Sequence, residues 1–243
     1  MNIMMIFLLM VASHISFSAE IDPIKLLKEV DQAHRSRSSY AEIRMIIKNP
    51  NWTRELKLKA WSLGTEYSLI RILSPRKDKG VSTLRRHNDM WNYFPKINRE
   101  MKVPSSMMMG SWMGSDFTND DLVKQSDLAE QYAISLTEEQ KKYVLTLLPK
   151  KNTATVWGKI VIEVDSKNRL PISQTYFDEK NTKIRQLTFS DNKIFSGKVL
   201  PARMDMISFV KKDHQTSVIY DVLNLKQGLK ESFFSLHNLK KAR

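Results

Sequence analysis

The chain has 243 residues, no cysteine and a formal net charge of +13. Without cysteine there is no disulfide scaffold, no thiolate metal site and no lipid-modified N-terminal cysteine, so the fold must rest on a hydrophobic core. The positive charge points to anionic partners such as phospholipid head groups or acidic surfaces.

Residues 1–19, MNIMMIFLLMVASHISFSA, contain no Lys, Arg, Asp or Glu, and Ile3 to Ala12 form an almost unbroken apolar run. That run is too short to span a bilayer, and the small residues Ser16, Ser18 and Ala19 behind it read as a secretory signal cleaved near Ser18 or Ala19. No later run is apolar enough to cross a membrane. Residues 20–243 are therefore expected to be a single exported domain, for which nucleic acid is a poor partner.

Ile21 to Arg37 is predicted to be the first helix. Asp22 is placed as N-cap and Pro23 as first helical residue, with Ile24, Leu27, Val30 and Ala33/His34 on one face. The period then changes to two. In Ala41–Lys48, Ala41, Ile43, Met45 and Ile47 alternate with Glu42, Arg44, Ile46 and Lys48, and in Trp52–Leu63 the apolar set is Trp52, Leu56, Leu58 and Ala60. Further strands are predicted at 66–73, 80–86, 89–94, 98–103, 130–137, 142–148, 156–164, 171–178, 183–190, 199–209 and 214–223, separated by turns such as Asp165-Ser166-Lys167-Asn168. A short helix near Asn119 to Lys124 is expected to be capped by Thr118, with Asp120 and Asp121 in its first turn. Regular hairpin spacing without helical insertions predicts a mainly β fold: one large antiparallel sheet, strongly curved or nearly closed, with the helices filling its opening.

Four histidines follow the signal, His34, His87, His214 and His237, none with a partner at metal-ligand spacing. Asp116, Asp120 and Asp121 are the only tight carboxylate group and lack the alternation of a calcium loop. Gly110-Ser111-Trp112-Met113-Gly114 departs from the nucleophile elbow, and no phosphate-binding glycine loop is present. No catalytic residue, metal or cofactor is expected.

Two features remain. Between Arg71 and Lys102 nine basic residues stand against three acidic ones, interleaved with Trp91, Tyr93 and Phe94. Arg76, Lys77, Lys79, Arg85 and Arg86 are the candidates for steering the protein to a membrane or an acidic partner. The other is KVPSSMMMGSWMGSDFTNDDL, residues 102–122. Met107, Met108, Met109, Trp112, Met113 and Phe117 are spaced only by glycines and serines, with neither helical nor strand period. Methionine suits surfaces that fit ligands of variable shape. The stretch reads either as a lid over a hydrophobic cavity or as plain core, and its side chains, with Trp91 and Tyr93, are the candidate ligand-binding set.

The runs Ile72 to Leu84 (ILSPRKDKGVSTL), Met90 to Pro95 (MWNYFP) and Met113 to Leu122 (MGSDFTNDDL) resemble the outer-membrane lipoprotein-sorting protein family, periplasmic proteins related to the Lol-type lipoprotein carriers. Two departures stand out: the methionine-rich segment after Arg99, and Asn119 where the family commonly has an aromatic residue. The resemblance implies an unclosed antiparallel β-barrel wrapped around one long helix and one or more short ones. It also implies an apolar cavity for acyl chains, no catalysis and no cofactor. The function so implied is a periplasmic carrier, expected to be a monomer, whose partners are a lipid or acylated lipoprotein, an inner-membrane transporter and an outer-membrane acceptor. The competing expectation is an accessory subunit that binds a transporter's external domain and carries no lipid.

Overall fold

The protein is described by a computed structural model over residues 21–32, 38–124 and 128–241. The leader read at 1–19 lies outside the described residues, as does the end of the predicted first helix, residues 33–37.

The chain begins with helix α1 (Pro23–Gln32), followed by strands β1 (Ser38–Lys48), β2 (Thr53–Leu63), β3 (Tyr67–Ser74), β4 (Ser82–Arg86), β5 (Asp89–Phe94) and β6 (Arg99–Lys102). Helices α2 (Asn119–Lys124) and α3 (Leu128–Gln131) come next, then β7 (Tyr132–Glu139), β8 (Lys142–Pro149), β9 (Lys159–Asp165), β10 (Pro171–Phe177), β11 (Lys183–Phe195), β12 (Lys198–Ser208), β13 (Gln215–Asn224) and α4 (Leu236–Lys240). Each strand answers to a predicted one. All thirteen join one antiparallel sheet in the order β6-β5-β4-β3-β2-β1-β13-β12-β11-β10-β9-β8-β7. The end strands β6 and β7 do not pair, so the curved sheet stays unclosed.

This order fixes the path of the methionine-rich stretch. Strands β6 and β7 are consecutive in sequence yet stand at opposite edges of the sheet, so residues 103–131 must bridge the two edges. Residues 103–124 of this stretch run across the inner face.

The inner face carries alternate residues of every strand. Its β7–β10 half packs Leu145, Leu147, Ile160, Ile162 and Tyr176 against Leu26 and Leu27 of α1 and Leu128 of α3. The other half packs Met45, Leu56, Leu58, Ile72, Met90 and Val218 against Trp112 of the crossing segment. Asp22 caps α1 as expected, its Oδ1 accepting from the backbone N–H of Ile24 at 2.8 Å and Lys25 at 3.2 Å.

Four details differ from the sequence reading. Ile24 is exposed: of the predicted face Leu27 and Val30 pack on the sheet, and Leu26 rather than Ile24 completes the contact. Trp52 is exposed in the β1–β2 turn, where the guanidinium of Arg54 lies 5.4 Å over its ring. Strands β11 and β12 run on to a two-residue turn at Ser196-Gly197, both at positive φ, a hairpin geometry that the polar run before it disguises. The C-terminal turn Glu231–Phe233 and α4 were not expected. They cover the outer face of β2–β5, where Phe234 and Leu239 pack on Tyr67, Leu69 and Leu84.

Candidate functional site

The crossing segment is folded back on itself. Trp112 N–H donates to the Phe117 carbonyl at 2.8 Å, Asn119 N–H to Gly110 at 3.0 Å and Asp120 N–H to Met108 at 2.7 Å. At its tip Met113 and Gly114 both have positive φ, 53° and 78°, the reason a glycine stands there. The buried Asn119 side chain donates to the Met107 carbonyl at 3.0 Å, so the departure noted at this position holds the stretch together. Thr118 and Asp121 form a reciprocal cap on α2. The Asp121 N–H donates to Thr118 Oγ1 at 3.1 Å and the Thr118 N–H to Asp121 Oδ2 at 2.7 Å.

The folded segment is tied to both halves of the sheet. Trp112 Nε1 donates to Thr83 Oγ1 on β4 at 3.0 Å, and Arg54 on β2 donates to the Met113 carbonyl. Thr216 on β13 donates through Oγ1 to Asp116 Oδ2 at 2.7 Å and accepts from the Asp116 N–H at 2.9 Å. Arg185 on β11 forms a bidentate pair with Asp121, Nη1–Oδ2 2.7 Å and Nη2–Oδ1 2.5 Å. Its guanidinium also lies 4.6 Å from the Trp157 ring and 4.3 Å from the Tyr176 ring. Burial opposes the charge on Arg185, but Asp121 beside it outweighs that and holds its pKa above the ordinary value.

Between this segment and the sheet lies a cavity of about 210 Å³. Trp112, Phe117 and Leu122 form one wall. Ala41, Ile43 and Met45 of β1, Leu58 and Ala60 of β2, Ile70 of β3 and Val218 and Tyr220 of β13 form much of the other, while Ser39, Ser62, Thr65, Ser68 and Arg85 add polar groups. Its volume exceeds that of the ~150 Å³ apolar cavity that admits benzene, and falls below the roughly 300–1,000 Å³ of pockets that enclose larger ligands. Among the described residues no group of three or more His, Asp or Glu is placed to hold a metal ion.

The structure divides the candidate ligand-binding residues. Trp112 and Phe117 line the cavity. Met108 and Met113 are half-buried against the same core cluster, while Met107 and Met109 point to solvent at 59% and 42% exposure. Trp91 and Tyr93 are elsewhere. Trp91 pairs with Leu84, whose neighbours Thr83 and Arg85 face inward, so Trp91 and Tyr93 lie on the outer face beneath the C-terminal segment. Of the steering residues, Arg76, Lys77, Lys79 and Arg86 are exposed. Arg85 is only 3% exposed; its Nε donates to the His87 carbonyl at 2.9 Å and its Nη1 to Leu122 at 3.2 Å, so it belongs to the cavity wall and cannot steer from the surface. The residues missed were Arg54, Thr83, Thr216 and Arg185. Only Arg185 left a signal, as a charge in line with Leu187 and Phe189 on the apolar side of its strand.

The unclosed antiparallel sheet curled over this cavity is a fold the chain shares with several solved structures. The chain is similar to the crystal structure of an outer membrane lipoprotein-sorting protein domain from Vibrio parahaemolyticus, at 24% identity and a TM-score of 0.78, over 90% of this chain and 98% of that one. It is similar to a DUF1329 family protein from Desulfovibrio piger, at 26% identity and a TM-score of 0.79, over 90% of this chain and 100% of that one. It also shares its fold with a LolA superfamily protein from Nitrosomonas europaea, at 17% identity and a TM-score of 0.74, over 90% and 100%. No curated protein matches the sequence. A family model described as "Uncharacterized protein" matches residues 64–241, and the chain belongs to that family.

Proposed function

We propose that this protein is a non-catalytic periplasmic carrier that takes the acyl chain of a lipoprotein or other lipid into the inner-face cavity and conveys it towards the outer membrane or an export machine. The observation that carries this reading is the cavity itself, walled by apolar side chains of the sheet on one side and by Trp112 and Phe117 on the other. The outer membrane lipoprotein-sorting protein domain and the LolA superfamily protein that share the fold support it.

The energetics set what such a carrier must do. At about 0.8 kcal/mol per buried CH₂, a chain of roughly sixteen carbons represents on the order of 12 kcal/mol against water. The carrier has to recover most of this or cargo stays in the donor membrane, yet hold less than the acceptor or cargo stays on the carrier. A cavity of about 210 Å³ is too small for a long chain as it stands. Uptake therefore requires the crossing segment to shift, and a glycine-jointed tip flanked by flexible methionines suits that movement. The protein works as a monomer, with an inner-membrane transporter and an outer-membrane acceptor as its exchange partners.

The test is titration of residues 20–243 with a naphthalene-sulfonate dye and with a fatty acid, alongside native mass spectrometry of the purified protein. Saturable binding of about one ligand per monomer, or co-purified lipid, is expected. A folded β protein that binds neither is the accessory subunit instead.

A further inference from the structure

We infer that one end of the sheet is a docking rim for an anionic lipid surface. Four hairpin turns follow one another along that end: 209–214 between β12 and β13, 49–52 between β1 and β2, 75–81 between β3 and β4, and 95–98 between β5 and β6. The registers place them together, since Lys48 pairs with both Thr53 and Gln215, Lys57 with Ser74, and Phe94 with Arg99. The last two turns touch: a Cβ on Gly80 would lie 3.1 Å from the Pro95 ring.

Three of the turns raise large apolar side chains into water. Trp52 is 42% exposed, Ile97 65%, Phe209 46% and Val210 60%. Beside them stand Arg76, Lys77, Lys79, Lys96, Lys211 and Lys212, all exposed, against only Asp78 and Asp213. Asp78 is buried and faces Arg54 at 3.7 Å. The next turn round, 178–182, carries Asp178 and Glu179 with Lys180 and ends the basic arc.

Separate apolar tips on separate turns make no groove for a peptide. Each can enter a lipid interface independently while neighbouring Lys and Arg stems carry their charges to the head groups. An acidic protein would answer the charges and leave the tips unused. Arg54, Thr83 and Thr216, which hold the crossing segment, are each the second residue of a strand that starts at this rim. A docked molecule would therefore hold the methionine-rich segment close to the lipid. Docking itself is a property of the rim and does not depend on the carrier reading.

The absence of native cysteine allows a single environment-sensitive label at Ile97→Cys, with Asn88→Cys in the β4–β5 turn at the opposite end as control. Each labelled protein is mixed with vesicles of phosphatidylglycerol and phosphatidylcholine in equal parts, and with phosphatidylcholine alone. A blue shift and brightening at position 97 but not at 88, on anionic vesicles only, is expected. Replacing Arg76, Lys77 and Lys79 with Gln should weaken partitioning on the order of a hundredfold, at about fivefold per basic residue removed. Replacing Phe209 and Val210 with Ser should abolish what binding survives in high salt. No binding to anionic vesicles overturns the proposal. So does binding that leaves the label at 97 unchanged, which is adhesion by charge alone and the outcome expected if the partner is an acidic protein. Cavity dye binding measured on the same variants should be unaffected, so failure of the rim and failure of the carrier reading are told apart.

Discussion

Arg185 on β11 and Asp121 on α2, 64 residues apart, form a buried two-point ion pair that anchors the crossing segment to the sheet. Removing one partner leaves the other charged in a site with almost no water. Asp121→Ala should therefore lower stability by about 3–5 kcal/mol, read as the urea midpoint. Asp121→Ala with Arg185→Met should recover a large part of that loss. Equal midpoints for wild type and Asp121→Ala would show that the pair anchors nothing.

Ala60 offers a way to fill the cavity. Its methyl lines the apolar wall opposite the crossing segment. In Ala60→Phe a ring should occupy the space at a cost of about 1–3 kcal/mol from overpacking. Dye affinity should fall at least tenfold while far-ultraviolet circular dichroism stays that of wild type. Undiminished dye binding would place the ligand outside this cavity.

The four methionines should separate into two pairs. Met107 and Met109 are exposed, so their joint replacement by Ser should change stability by no more than about 1 kcal/mol in total. Met108 and Met113 are half-buried, and their replacement should cost about 1–3 kcal/mol each and weaken lipid binding as well. If the first pair proves as costly as the second, the segment is packed differently in solution.

The carboxylates on the outer face give the acid limb of the stability curve. Lys142 holds Glu163 below the usual carboxylate range, and Arg44 does the same to Asp221. Burial raises Asp205, but Arg203 and Ser217 outweigh it and its net shift is also downward. A carboxylate lower in the folded than the unfolded chain contributes its full stabilisation above the unfolded value, about 4, and loses it as pH falls through the folded value. The urea midpoint should hold steady from neutral pH to about 5 and drop below about 4. Glu163→Gln should make that drop shallower, and an unchanged acid limb would remove Glu163 from the account.

What the sequence determined by itself was the set of elements. Period-two alternation and turn residues are local, each readable within a dozen positions, so thirteen strands, the Asp22 cap and the Thr118 cap could all be read before any contact was known. Alternation also told which residues of a strand share a face. It could not tell which face a short strand turns inward, and so Trp91 and Tyr93 were assigned to the cavity although their pairing with β4 puts them outside. Only the tertiary structure decided the fate of the methionines. Their segment has no period of its own, and its path follows from β6 and β7 standing at opposite edges of one sheet. The same closure brought Arg185 to Asp121, Thr216 to Asp116 and Trp112 to Thr83, pairs whose partners lie 29 to 100 residues apart. Such pairs depend on the registers of many strands at once, and no local pattern encodes that sum.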